Sequence, residues 1–224
     1  RDALLARDAS QRAEIASLRA RLATREQQTA IRMGGPGRGR DHDPDGAPWF
    51  DPSPDTLRAM ARECGVRFDL PAALQTREAG DLAVGQFGMT ADEVAPVTEV
   101  MRELHDRWLT QLRDLYLAAT GDTAGVDTLS PEAMVREIED KSDPEVRAAI
   151  HRQIALERAG IVPAPTDWSD AAPIERYIRM LAAIGAQTEE RVAARLGAER
   201  ARALRDHDGG WGLRMEMSGC AGEQ

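Results

Sequence analysis

Cys64 and Cys220 are the only cysteines of the chain, and they stand far apart in it. Two such residues form no zinc or redox motif, and neither has a histidine at the spacing of a cysteine nucleophile. In an oxidising compartment their simplest chemistry is to pair, closing a long loop worth about 5 kcal/mol in the chain-entropy description. In a reducing compartment they would be independent, one buried and one free in the tail. The four histidines are scattered. His42 and His207 each sit in an Asp-His-Asp triplet, His105 follows Met101 by four residues, and His151 stands alone. Adjacent residues cannot all face one ion and a tetrahedral site needs four convergent ligands, so no metal ligand is assigned. Met215, Met217 and Cys220 make a soft cluster on paper, which reads as packing before copper binding. With 38 acidic residues, carboxylate pairs occur throughout and single out no acid–base couple. Nucleophile elbow, P-loop, dinucleotide fingerprint and HExxH are all missing, so the chain is expected to be no enzyme, with no catalytic residue and no cofactor.

The elements that would position these residues are helices. Residues 1–29 are charged, with sparse apolar positions; Ile15, Leu18 and Leu22 step by three and four, as a weak seam does. They read as a helical stalk, either solvated or paired in a coiled coil. Residues 30–56 are dense in Gly and Pro without apolar periodicity and read as a linker, ending on Trp49-Phe50, which should dock onto the folded part. A helical domain is expected over 57–208 and a tail packed back on it over 209–224. Within the domain, Asp55 is placed to cap a short helix closed by Gly65. Thr90-Ala-Asp-Glu93 then forms a capping box. Behind it Val94, Val97, Met101, Leu104, Trp108, Leu112 and Leu115 recur at helical spacing, which predicts one long amphipathic helix with these residues on its core face. Ser130-Pro131 and Asp143-Pro144 open two more helices. Ile174 to Leu196 form another, with Ser169 or Asp170 as cap, and a last one lies near 198–206. The only strand-like pattern noted is the alternation of Leu213, Met215 and Met217. The fold class expected is all-α: an antiparallel helical hairpin or bundle preceded by stalk and linker.

Composition narrows the function. The 224 residues are 42% hydrophobic and 30% charged, as in a globular chain, with only 4% aromatic. A net charge of −9 argues against nucleic acid as a partner, because phosphate binding needs a basic face. No run approaches the roughly 18 apolar residues of a membrane span. The sequence starts at Arg1 inside a helical pattern, so any signal or anchor is expected upstream, and membrane attachment only through it.

One combination resembles a known family. Gly88-Met-Thr-Ala-Asp-Glu93 at the entry of a long helix, a helical hairpin, and the later Leu196-Gly-Ala-Glu-Arg-Ala-Arg202 are similar to the periplasmic LTxxQ-type proteins, the Spy/CpxP-like stress proteins and related heavy-metal-resistance sensors. The likeness covers about residues 85–206. Leucine is methionine in the first copy, threonine is glycine in the second, and glutamine is absent from both. The resemblance implies a periplasmic or cell-envelope location, dimerising helical protomers and a binding or stress-sensing role. The family's metal ligands have no counterpart here. Two functions stand open: a tethered non-enzymatic envelope module that binds an unfolded-protein client or another partner, and a scaffolding module that self-associates through stalk or hairpin with no ligand.

Overall fold

The computed structural model describes residues 49–77, 81, 88–207 and 211–217. The chain divides into two units, Arg1–Gly39 and Arg40–Gln224, and every described residue belongs to the second. The stalk expected over 1–29, most of the Gly/Pro-rich stretch, His42 and Cys220 lie outside the described residues.

The first helix, α1 (Pro54–Arg62), begins inside the stretch read as linker. Its cap is Ser53 and not the expected Asp55: the Ser53 Oγ accepts the Thr56 N–H at 3.1 Å, while Asp55 sits within the first turn and favours the helix N-terminus by charge. The helix ends in a paired-carbonyl cap: Gly65 N–H donates to Met60 O at 2.7 Å and Cys64 N–H to Ala61 O at 3.4 Å. The left-handed residue of that cap is Cys64 (φ 53°) and not Gly65. A side chain there is disfavoured by roughly 1–2 kcal/mol.

The chain then enters β1 (Val66–Pro71), followed by a 3₁₀ turn over Ala72–Leu74. β1 pairs antiparallel with β2 (Gly212–Met217), Val66 opposite Met217 and Pro71 opposite Gly212. The all-α expectation is therefore corrected: the protein is mostly helical with a small two-stranded sheet. The alternation noted at Leu213, Met215 and Met217 belongs to β2. Its partner Val66-Arg-Phe-Asp-Leu70 alternates in the same way, and one short strand without a visible partner carries little signal.

α2 (Ala91–Thr120) is the long helix. Glu93 accepts the Thr90 N–H at 2.8 Å at its start, and Gly121 at φ 70° ends it. Val97, Met101, Leu104, Trp108, Leu112 and Leu115 are buried, joined by Val100 and Tyr116. Val94 is not: it is 39% exposed, because the apolar packing against α2 begins one turn later, at Val97. α3 (Thr123–Thr128), α4 (Pro131–Asp140) and α5 (Pro144–Arg158) follow, capped by Asp122, Ser130 and Asp143. α6 (Pro173–Leu196) has Ala172 at its cap position, and neither Ser169 nor Asp170 caps it. Pro173 at the first helical position fixes the start, while Ser169 is held in the preceding loop by the Asp167 carboxylate. Gly197 (φ 89°) breaks α6 from α7 (Ala198–Asp206).

Two cores result. The larger joins Val66, Phe68, Trp108, Leu112 and Leu115 to side chains of α4, α5 and the first half of α6. The smaller joins Val97, Met101 and Leu104 to Val192, Ala201, Leu204 and Trp211. The α2 stripe thus serves both. At the smaller core's entrance, Arg200 of α7 donates twice to Glu93, each at 2.6 Å, and once to Gly88 O at 3.1 Å. The two sequence copies that carry the family resemblance therefore meet through this pair.

Candidate functional site

Successive strand residues point to opposite faces, so Val66 and Phe68 enter the core while Arg67 and Asp69 share the other side. That second side looks onto α6, where Ala182, Gly185 and Ala186 present almost no side chain. Gly185 is required: a Cβ there would lie 2.7 Å from the Asp69 Cβ and 3.1 Å from the Asp69 carbonyl oxygen. The close approach leaves a cleft of about 440 Å³ beside the contact, within the size range of small-molecule sites. α1 closes one flank with Leu57 and Met60, α7 contributes Arg205, and the end of α5 contributes Arg158.

Residues 49–52 form the remaining wall. Trp49 and Phe50 meet edge to face with centroids 5.0 Å apart. Arg67 lies 5.1 Å from the Trp49 ring, Arg205 5.2 Å and Arg214 4.4 Å from the Phe50 ring, distances at which a cation is attracted to the ring face. Arg67 also donates to Trp49 O at 3.0 Å. The aromatic pair is docked on the folded part.

The charges of the cleft are unequally matched. Arg205 pairs with Asp51 at 2.6 Å, Glu189 at 2.8 Å and Asp206 at 2.9 Å. Arg67 pairs with Glu216 at 2.8 Å. Arg158 differs: its Nη1 donates to Arg67 O and its Nη2 to Ala182 O, both at 2.6 Å, and it makes no ion pair among the described residues. Burial pulls its pKa down from the ordinary guanidinium value. Asp69 is the acidic counterpart. Its carboxylate takes a hydrogen bond from the Trp211 N–H, but Oδ1 is buried with no partner among the described residues. Burial raises its pKa to about 7, against the opposing pull of the Trp211 N–H, Arg214 and Arg205.

A second, more open hollow lies beneath the 163–171 loop. Its charges are satisfied: Arg179 grips Glu157 through two bonds of 2.7 and 3.0 Å and Glu175 through one of 2.8 Å. This is a structural clamp between α5 and α6.

Of the residues singled out from sequence, Cys64 is buried beside β1, and no cysteine among the described residues is free. His105 Nδ1 lies 2.7 Å from Ala73 O, and His151 meets the Phe68 ring edge-on with its pKa lowered by burial. Among the described residues no three His, Cys, Asp or Glu side chains are grouped to hold a metal ion. The core stripe supplies packing and no cleft residue. Asp69, Arg158, Gly185 and Arg205 were not singled out from sequence. Gly185 alone carried a local signal, a glycine inside a helical pattern; the others acquire their roles from partners remote in sequence. No helix among the described residues is long and apolar enough to cross a membrane. No family model, curated protein or solved structure matches the chain.

Proposed function

We propose that this chain is a non-enzymatic binding module of the cell envelope, with the Asp69 cleft as its ligand seat. The observation that carries the reading is Asp69 Oδ1, buried in the cleft wall without a donor. An unsatisfied buried polar atom costs about 1–3 kcal/mol, which a bound ligand can recover. Binding is favoured over catalysis by the lining. It holds no serine, threonine, cysteine, histidine or lysine among the described residues, and its other two carboxylates, Asp51 and Glu189, are tied to Arg205. The envelope location rests on the LTxxQ-type resemblance and on a Cys64–Cys220 bridge. The bridge is supported by the sheet register: Val66 faces Met217, with Cys64 two residues before Val66 and Cys220 three after Met217 in the sequence. A disulfide implies an oxidising compartment.

The binding reading is tested by heat unfolding with a library of amino acids, sugars, amines, carboxylates and nucleosides. Ala186→Trp, on the exposed rim of the cleft, serves as the blocked control. At least one compound is expected to raise the midpoint of the parent and not of Ala186→Trp. If none does, or both proteins respond equally, the cleft is no binding site and the scaffolding alternative, measured as oligomeric state by sedimentation, takes its place. Thiol titration of denatured, unreduced protein should find no free thiol; two would remove the bridge and the compartment it implies.

A further inference from the structure

We infer that the cleft seats a free zwitterionic α-amino acid with an apolar side chain, its ammonium on Asp69 and its carboxylate on Arg158. The inference rests on the cleft being the binding site and adds the ligand's chemical class.

The argument begins with what is left over. Each of the other cleft cations has a carboxylate partner, and Asp51 and Glu189 are bound by Arg205. Asp69 and Arg158 remain, lining one cleft without pairing with each other, and they are opposite in sign once Asp69 is ionised, a form that a bound ammonium favours. Arg158 has five N–H donors, and two bonds, both to main-chain carbonyls, are its only ones among the described residues. A guanidinium held this way keeps its geometry and retains donors for a carboxylate. A ligand with one charge would answer only one of the two groups. A ligand with both answers each.

The same strand and helix place both groups. Arg158 is fixed to Arg67 O and Ala182 O. Those anchors stand two residues before Asp69 on β1, about 7 Å along a strand, and three before Gly185 on α6, about 4.5 Å along a helix. An α-amino acid carries both charges on one carbon, so a single small molecule within the cleft can meet both groups. The side chain would then meet Trp49, Phe50, Leu57 and Met60, which set an apolar preference.

The experiment is a heat-unfolding screen of the full chain against the twenty L-amino acids, with calorimetric titration of the best one. Its N-acetyl derivative, which lacks the ammonium, and its amide, which lacks the carboxylate, are titrated beside it. One or more apolar amino acids should bind, with both derivatives and Asp69→Asn weaker by at least about tenfold, the loss of one charge-assisted contact. The derivatives test the Arg158 contact on the unaltered protein, so the result does not depend on an Arg158 variant folding. If either derivative binds within threefold of the parent amino acid, the two-point reading is overturned. If no amino acid binds while another library compound does so in an Ala186→Trp-sensitive way, the ligand class is wrong and the cleft stands. If nothing binds, both fall together.

Discussion

Asp69 holds its proton to higher pH in the folded chain than in the unfolded one, and this ties folding stability to pH. Its carboxyl faces Arg214 from β2, Arg205 from α7 and Glu189 from α6, with the Trp211 N–H as donor. Folding raises its pKa from 3.8 to about 7, so between those values the folded state holds the proton and the unfolded state does not. Its contribution is therefore intact below about pH 4 and declines as pH rises through 7, at up to about 1.4 kcal/mol per unit. Asp69→Asn, which keeps the shape without the charge, should flatten that limb in urea unfolding between pH 5 and 8, and should exceed the parent in stability at pH 8. Parallel curves would mean that Asp69 is ionised without penalty. Glu93 works with the opposite sign. The Arg200 bonds and the Thr90 N–H hold its pKa down to about 2, so its contribution is present above about 4.5 and lost toward pH 2. Glu93 could be read in the sequence as a capping residue, because a capping box is local. Asp69 could not, because its burial comes from α6 and the tail.

At the scale of elements, what a sequence shows is decided by how local the cause is. Proline and a capping side chain announce α4 and α5, and the α2 stripe announces a buried face before any partner is known. Leu104→Ala should accordingly cost about 2–5 kcal/mol, against about 0.5 kcal/mol or little more for Arg102→Ala, whose exposed partner is Asp81. Equal losses by chemical denaturation would mean that the stripe is not the core face. Val94 continues the same spacing and is exposed, because periodicity shows which face is apolar and not how far the neighbours reach. β1 is the opposite case, a strand that exists only because β2 returns to it from the far end of the chain. The contact of α6 on β1 hangs on Gly185. Gly185→Ala gains about 1 kcal/mol of helix propensity but forces a Cβ against Asp69, and overpacking of this kind costs about 1–3 kcal/mol. The net should be a loss, with Glu190→Ala, at an exposed position further along α6, near neutral. A stabilised Gly185→Ala would show that α6 moves freely off the strand.

The whole chain is two units, and the boundary at Gly39 can be tested against the aromatic wall that begins ten residues later. The described residues of both cores belong to the second unit, from α1 onward. Trp49 and Phe50 belong with them, since Arg67, Arg205 and Arg214 hold their rings, and Asp51 closes on Arg205. Removing residues 1–39 should therefore leave the thermal midpoint within a few degrees, because no described core side chain is lost. Removing residues 1–52 takes away the wall as well. It leaves Arg205 with Glu189 and Asp206, and it exposes the cleft and the sheet face beneath the rings. A buried aromatic side chain is worth roughly 1.5–3 kcal/mol, and a domain of this size shifts by about 2–4 °C per kcal/mol. Half-buried as they are, the two rings should still separate the deletions by several degrees. The same pair of truncations divides binding from scaffolding. If the cleft is the functional site, the shorter deletion keeps any ligand response and the longer one loses it. If self-association through the stalk is the function, the shorter deletion already abolishes it; association through the helical hairpin survives it. A chain that loses as much stability from removal of 1–39 as from removal of 1–52 would place part of its support before Gly39, and the boundary would have to move.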